Sequence, residues 1–576
     1  MSLIASLILL AVADPLKTLA ETSGWKQTGR YEEVERLCAA FPKRFPGKVK
    51  CEKFGVTPEG RPMLALVASA DGTLEPAANV KKQRPVVLME GGIHAGEIDG
   101  KDAGLWLMRQ LLDGKQSPGL LSKVTFVFVP VFNVDGHERF GPNHRPNQVG
   151  PEQMGWRVTS QNLNLNRDWV KAEAPEMQAM LTLLQKYDPI LFADLHVTDG
   201  AKFQPTLGIT LEPRFASTPA LNTLGLALSD SLLREMTAKG HLPLDFYPSF
   251  VKDDEPLSGF GFGVPPPRFS HAYWGARHRV GVLIETHSWK DYATRVKATY
   301  DVAALMLEHA AAEGAAWRKA AQEAEAEDLR AGGTDVVLAW ENGKATKDFE
   351  FLGYAYTQEQ STVSGKTWVR YDDTKPKVWK ETLLTEVVPA FKARVPKAGW
   401  VVMPGQAALV TQKLKIHGFR VEAVTKARAQ APLQAFRVTK SKFRLSPSEG
   451  RHTVQAQGEW KDEPRDVPAG SIFIPAAQVN VGLLTQLLEP SAPDSLVSWG
   501  YFNAHFEQKE YLEDYVAEVV AREMLKNPKV LAEFNARLKD PEFAKSPELR
   551  LGFFTQRHAT WDERMNLMPV FRAESW

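Results

Sequence analysis

The chain is poor in cysteine, with two residues in 576, Cys38 and Cys51. That scarcity excludes a disulfide-stapled small scaffold and any zinc site built from clustered thiolates, so a metal bound here must use histidine and carboxylate. Net charge is equally scarce. Lys and Arg number 70 against 69 Asp and Glu, a formal charge of +1, which offers no overall field to draw nucleic acid or an anionic membrane surface. No internal segment approaches the roughly 20 uncharged apolar residues of a membrane span, and no repeat or low-complexity tract occurs. What is present is a 44% hydrophobic composition, enough for a large core and roughly two to four domains.

The two cysteines lie in "ERLCAAF" and "KVKCEKF". A helix followed by a strand could bring them together as one disulfide in an exported protein; two reduced core thiols are the alternative. The opening "MSLIASLILLAVADP" carries a short apolar run ending in Ala11-Val12-Ala13, a small-x-small pattern like a signal-peptidase site. Residues 1–13 therefore read as the remnant of a secretory signal, and the mature chain as secreted or periplasmic and without a membrane-integral segment. A frayed apolar terminus is the plainer alternative.

From about residue 30 the chain alternates helices with short apolar strands, the pattern of an α/β unit around a buried, mostly parallel central sheet flanked by helices. "MLALVAS", "PVVLMEG", "VTFVFVPVFN", "ILFADLH" and "RVGVLIETHS" read as strands. "YEEVERLCAAF", "DAGLWLMRQLLDG", "APEMQAMLTLLQKYD" and "LNTLGLALSDSLLREMTAKG" read as helices, with a further long helix from about 290 to 325. An Ala/Glu-rich helix end followed by Gly332-Gly333 marks a boundary near 330. This defines a first domain over 14–330 and a C-terminal α+β accessory region over 331–576, β-rich and then helical in its last hundred residues.

Four stretches carry chemistry. "GGIHAGEIDG" places His94 and Glu97 three apart in a Gly-rich loop just after a buried strand, where open α/β sheets hold their ligands. Alone such a pair is commonplace; its position gives it weight. "ILFADLHVTDG" ends a strand in His196. Two histidines and one glutamate form the ligand set of a catalytic zinc with an open fourth position. "RVGVLIETHS" ends another strand in Glu285, suited to take a proton from an attacking water; pairing to Arg279 is the bland reading. "MGWRVTSQNLNLNRDW" gathers Arg157, Asn166 and Arg167. An Arg beside an Asn can clamp a terminal carboxylate, and a second Arg can stabilise an oxyanion.

Together these stretches resemble the zinc carboxypeptidases of the carboxypeptidase A family, over roughly residues 30 to 310. The resemblance implies a carboxypeptidase-like catalytic domain and one zinc ion held by His94, Glu97 and His196. It implies Glu285 as catalytic base, Arg157 as oxyanion arginine, Asn166 with Arg167 as the carboxylate clamp, and as partner a peptide with a free C-terminal carboxylate. Two departures stand out. The family's Asp two residues before the Asn-Arg pair is Asn164 here, a weaker support for a zinc-bound imidazole. The family's substrate-covering tyrosine has no clear match: Tyr273 is nearer to Glu285 than expected and Tyr247 further away. The residue that selects the substrate's last side chain falls near Ser270 and His271.

His137 and His144 flank the substrate loop and read as exposed loop histidines, Asp135 as a turn-former, and the histidines of "KIHGF" and "NAHFEQKE" as structural. Two rival functions stay open: a zinc amidohydrolase acting on small N-acyl amino acids or cell-wall peptides, and a non-catalytic peptide- or glycan-binding relative.

Overall fold

The computed structural model describes residues 14–576, so the signal-like segment 1–13 lies outside the described residues. Strand β1 (Val49–Val56), β2 (Pro62–Ala68), β3 (Val86–Gly91), β4 (Thr125–Val129), β5 (Leu191–Thr198), β6 (Leu207–Glu212), β7 (Pro243–Leu244), β8 (Phe260–Gly261) and β9 (Val280–His287) follow in chain order. All but β8 join one eight-stranded sheet, ordered β1-β2-β4-β3-β5-β9-β6-β7. Its centre, β4-β3-β5-β9, is parallel, and antiparallel pairs β1-β2, β2-β4 and β6-β9 flank it. Strands β3, β4, β5 and β9 are buried along their whole length, which is why they read as continuous apolar runs rather than alternating ones. The fold class is thus α/β with a mixed, mostly parallel sheet.

The helices that cover this sheet include Tyr31–Arg44, Asp99–Leu112, Pro175–Tyr187, Pro219–Ala238 and Tyr292–Asp328. None of the described helices is long and apolar enough to cross a membrane. Cys38 on the first of them and Cys51 on β1 form a disulfide with Cα atoms 5.2 Å apart.

After Asp328 come β10 (Asp335–Asn342), β11 (Thr346–Gln360), β12 (Thr367–Leu384) and β13 (Val387–Arg394). β10 pairs with β13, and β11 with β12 in a long hairpin whose Leu383 and Leu384 run beside Phe260 and Gly261 of β8. A six-stranded sheet follows, with Gly399–Val402 between Ile472–Pro475 and Leu567–Ala573. Residues of both halves share one apolar core, Trp274 and Trp317 from the first with Trp400, Val410 and Phe436 from the second. The last hundred residues are not helical to the end: after helices Asp514–Met524, Pro528–Arg537 and Pro547–Thr555 the chain returns as the buried strand Leu567–Ala573. A seven-residue strand buried on both faces has no alternation to announce it.

Candidate active site

The strand β3 runs apolar up to Gly91, and the chain then turns sharply. Gly92 adopts φ +66°, a left-handed conformation that favours glycine. Gly96 is needed for another reason: a Cβ there would lie 2.5 Å from Cγ of Arg145 and 2.7 Å from the carbonyl oxygen of Gly155. Between them the turn presents His94 and, one residue after Gly96, Glu97. Asp99 then starts the next helix and anchors the loop. Its carboxylate accepts Nε of Arg295 at 2.8 Å and the hydroxyl of Thr286 at 2.8 Å, so the residue after Glu285 is tied to the residue two after Glu97.

His196 lies at the same edge, near the carboxyl end of β5. Nitrogen and carboxylate atoms of His94, Glu97 and His196 all lie within 4.8 Å of one another, and all three residues are buried. Nδ1 of His94 is 2.9 Å from Oε1 of Glu97, and Nδ1 of His196 is 2.9 Å from Oε2. The far nitrogens face oxygens of neighbours. Nε2 of His94 meets Oδ1 of Asn164 at 3.1 Å, and Nε2 of His196 lies 2.7 Å from Oδ2 of Asp194. An N–H on each Nε2 leaves both Nδ1 lone pairs directed at the shared centre, the arrangement in which outer partners orient imidazole ligands. The donor set therefore fits a zinc ion.

Charge in this cluster is strongly perturbed. Burial pushes the His94 imidazole down to about 4. Burial would also lower His196, but Asp194, Glu97 and Glu285 carry it well above its ordinary value. Burial alone would raise Glu97; Arg145 and the two imidazoles hold it well below the usual carboxylate range. A ligand imidazole must be neutral, so metal binding and protonation of His196 compete.

Glu285 stands beside His196, directly opposite it in the parallel pairing of β5 with β9. It is buried, its Oε2 has no hydrogen-bond partner, and burial pushes its carboxyl up to about 8 against the pull of His196. Arg279 is not its partner: that guanidinium pairs with Asp188 and Glu325.

A cavity of about 460 Å³ opens onto these residues and also touches Arg157, Asn166 and Arg167. Nη1 of Arg157 is 3.4 Å from Oε1 of Glu97. Asn164 links the two groups, its Oδ1 accepting the backbone N–H of Asn166 as well as the His94 ring. The Asn166 side-chain oxygen accepts the N–H of Ser270 at 3.1 Å. Arg167 donates Nη1 to the Asn166 carbonyl and lies over the Phe269 ring, 4.3 Å from its centroid. All seven residues singled out in the sequence border one cavity.

Several neighbours escaped the sequence reading. Arg145 reaches Oε1 of Glu97 at 2.8 Å from a loop with no motif around it. Asp194 had a signal, being two residues before His196 and so on the same face of β5. The two tyrosines separate: Tyr247 lines the cavity, whereas Tyr273 is buried with its hydroxyl 2.8 Å from Nδ1 of His417. His271 lines the cavity, and Ser270 is buried with its hydroxyl unpartnered.

His137 is buried rather than exposed, beside Glu138, because the loop after β4 folds into a short helix, Val134–Glu138. His144 packs edge-on against Trp156. Asp135 is more than a turn-former: its buried carboxylate accepts from Thr57, Arg61 and Ser160. His417 of "KIHGF" bridges Tyr273 and the Val170 carbonyl.

Residues 34–206 match the family described as zinc carboxypeptidase. A stretch of 123 residues is 32% identical to the inactive metallocarboxypeptidase ECM14 of Saccharomyces cerevisiae, covering 20% of this chain and 27% of that protein. Over 124 residues the chain is 32% identical to carboxypeptidase A4 of Mus musculus, covering 20% of this chain and 28% of that one. The chain thus spans about a quarter of the length of these curated relatives. Among solved structures, carboxypeptidase A from Helicoverpa armigera is 16% identical with a TM-score of 0.35, covering 51% of this chain and 74% of that one. The metallo-carboxypeptidase from Burkholderia cenocepacia is 18% identical with a TM-score of 0.33, covering 48% and 68%. The likeness to the zinc carboxypeptidase family thus lies in residues 34–206 of this chain.

Proposed function

We propose that the protein is a zinc-dependent metallocarboxypeptidase that hydrolyses the C-terminal peptide bond of peptides. The observation that supports this most is the meeting, around one cavity, of a two-histidine, one-glutamate donor set, an unpartnered buried carboxyl and an Asn-Arg pair. His94, Glu97 and His196 would hold one zinc ion, which supplies Lewis acidity toward the scissile carbonyl and toward water. Glu285 takes a proton from the attacking water and passes it to the leaving amine; its lack of a fixed partner leaves the carboxyl free for both steps. Arg157, the more exposed of the cavity's guanidiniums near Glu97, receives the oxyanion. Asn166 and Arg167 hold the substrate's terminal carboxylate, which fixes the last peptide bond over the donor set.

We place the protein in a secreted or periplasmic compartment, where the Cys38–Cys51 disulfide persists. Residues 331–576 we assign as an accessory region that shapes access to the cavity. The test is mass spectrometry of a peptide library, each sequence offered with a free and an amidated C-terminus, with and without a chelator. Loss of single residues from free-ended peptides alone, abolished by chelation, is expected. Cleavage indifferent to amidation would remove the clamp from the account, and cleavage restricted to dipeptide-like amides would favour a zinc amidohydrolase of small N-acyl amino acids or cell-wall peptides. Two relatives carry the name inactive; binding of peptide with no residue released is the outcome that reading requires.

A further inference from the structure

We propose that the cavity selects substrates ending in an acidic residue, with Arg214 receiving the side-chain carboxylate while Asn166 and Arg167 hold the terminal one. The proposal rests on the carboxypeptidase reading above.

Five arginines among the described residues are buried: Arg109, Arg214, Arg279, Arg295 and Arg572. Four have a carboxylate partner, namely Glu21, Asp188, Asp99 and Glu489 respectively. Arg214 has none within 4.0 Å among the described residues. It follows β6 directly, is 3% exposed, and lines the cavity. Its Nε donates to the Leu211 carbonyl at 3.2 Å and its Nη1 to the Asp245 carbonyl at 2.8 Å. Those neutral acceptors take two of its five N–H donors. The carboxylate of Glu212 accepts the backbone N–H of Arg214 instead, and burial pushes that carboxyl up to about 7 against the pull of Arg214. Rings of Phe215 and Phe262, each 5.3 Å away, strip water from the guanidinium. Glu212, Asp245 and Asp230 act on Arg214 only across space, so the buried guanidinium lacks a direct carboxylate acceptor, and a ligand that brings one would complete it.

A second residue points the same way. His271 is 2% exposed, lines the same cavity, and neither of its ring nitrogens has a partner. Its burial keeps the imidazole neutral, so one ring N–H remains to donate. A carboxylate accepting from Arg214 and His271 would complete both groups, and charge-assisted bonds of this kind are the strong ones. Phe246, Phe262 and Leu283 supply apolar wall for the methylene stem of that side chain. A lysine or arginine side chain would instead set like charge against Arg214, and an apolar one would leave both polar groups unpaired.

The test uses the full-length zinc-loaded protein and four free-ended peptides identical except for a last residue of Glu, Gln, Phe or Lys. Release is expected to favour Glu over Gln by at least about 100-fold in kcat/KM, with Lys poorest. Arg214→Met is expected to invert the ranking, so that Gln or Phe becomes the better substrate. Wild-type release of Gln or Phe as fast as Glu would overturn the proposal, and that comparison needs no variant to fold. If no peptide is cut, the carboxypeptidase reading fails by itself, and calorimetry with free glutamate and glutamine then decides the pocket. Glutamate binding at least about tenfold tighter supports it; equal binding overturns it.

Discussion

The two halves of this protein contribute to the site in different ways. In the first half the candidate metal donors and the proposed base follow from the carboxyl ends of three adjacent parallel strands: His94 and Glu97 after β3, His196 on β5, and Glu285 on β9. The second half supplies no donor to that cluster. What it supplies is support for a wall. β12 runs beside β8, Glu381 accepts the backbone N–H groups of Leu257 and Gly259, and Asn342 accepts that of Gly263. Asp494 accepts the backbone N–H of Arg268. The segment so held brings Gly261, Phe262 and Gly263 to the cavity. Chemistry is thus concentrated in one sheet edge, while shape is imposed by contacts more than 70 residues away in sequence.

This contrast is open to attack at several points. The largest effect is expected at the sheet edge. Glu285→Gln should lower kcat by roughly 1,000-fold or more while zinc stays bound, as general-base removal does; turnover within tenfold of wild type would exclude Glu285 as the base. Next comes the covalent anchor of the first half. Cys38→Ser opens a link between residues 13 apart and should cost about 3 kcal/mol in denaturant unfolding. An unchanged midpoint would show that this staple is redundant.

Two buried carboxyls, one in each half, differ as well. In the second half Glu489 is matched by Arg572. In the first, Glu176 is buried with neither oxygen partnered, and burial pushes it up to about 7. Because its folded-state value lies above the unfolded one, the folded chain holds that proton to higher pH, so Glu176 lowers stability progressively between about pH 4.5 and 7. Glu176→Gln should therefore gain roughly 2 kcal/mol at pH 8 and little at pH 4, read from unfolding curves. A gain equal at both pH values would mean that ionisation is not the cause. The smallest effect is expected from the remote wall: Glu381→Gln should weaken kcat/KM by about three- to tenfold, mainly through KM, with metal content unchanged. A collapse of kcat instead would place the second half in the chemistry itself.

The same contrast explains what could be read from sequence. Strands buried on both faces are continuous apolar runs, so β2, β3, β4, β5 and β9 were visible, and a ligand at a strand's end inherits that visibility. The strand β6 was not, being a short mixed run, and β1, partly exposed without clean alternation, showed only as the strand expected to carry Cys51. Arg145 and Arg214 act from loops whose local sequence says nothing about where the side chain ends. The tyrosine question could not be settled by spacing, because the excursion between Tyr247 and Tyr273 takes its course from its pairing with β12, far downstream.

Three separated segments that build one metal site should be seen at once in metal analysis of the purified protein. About one zinc per chain is expected in the wild type and in Glu285→Gln, and little in folded His94→Ala or His196→Ala. Zinc retained undiminished by both histidine variants, or active protein without any transition metal, would contradict it.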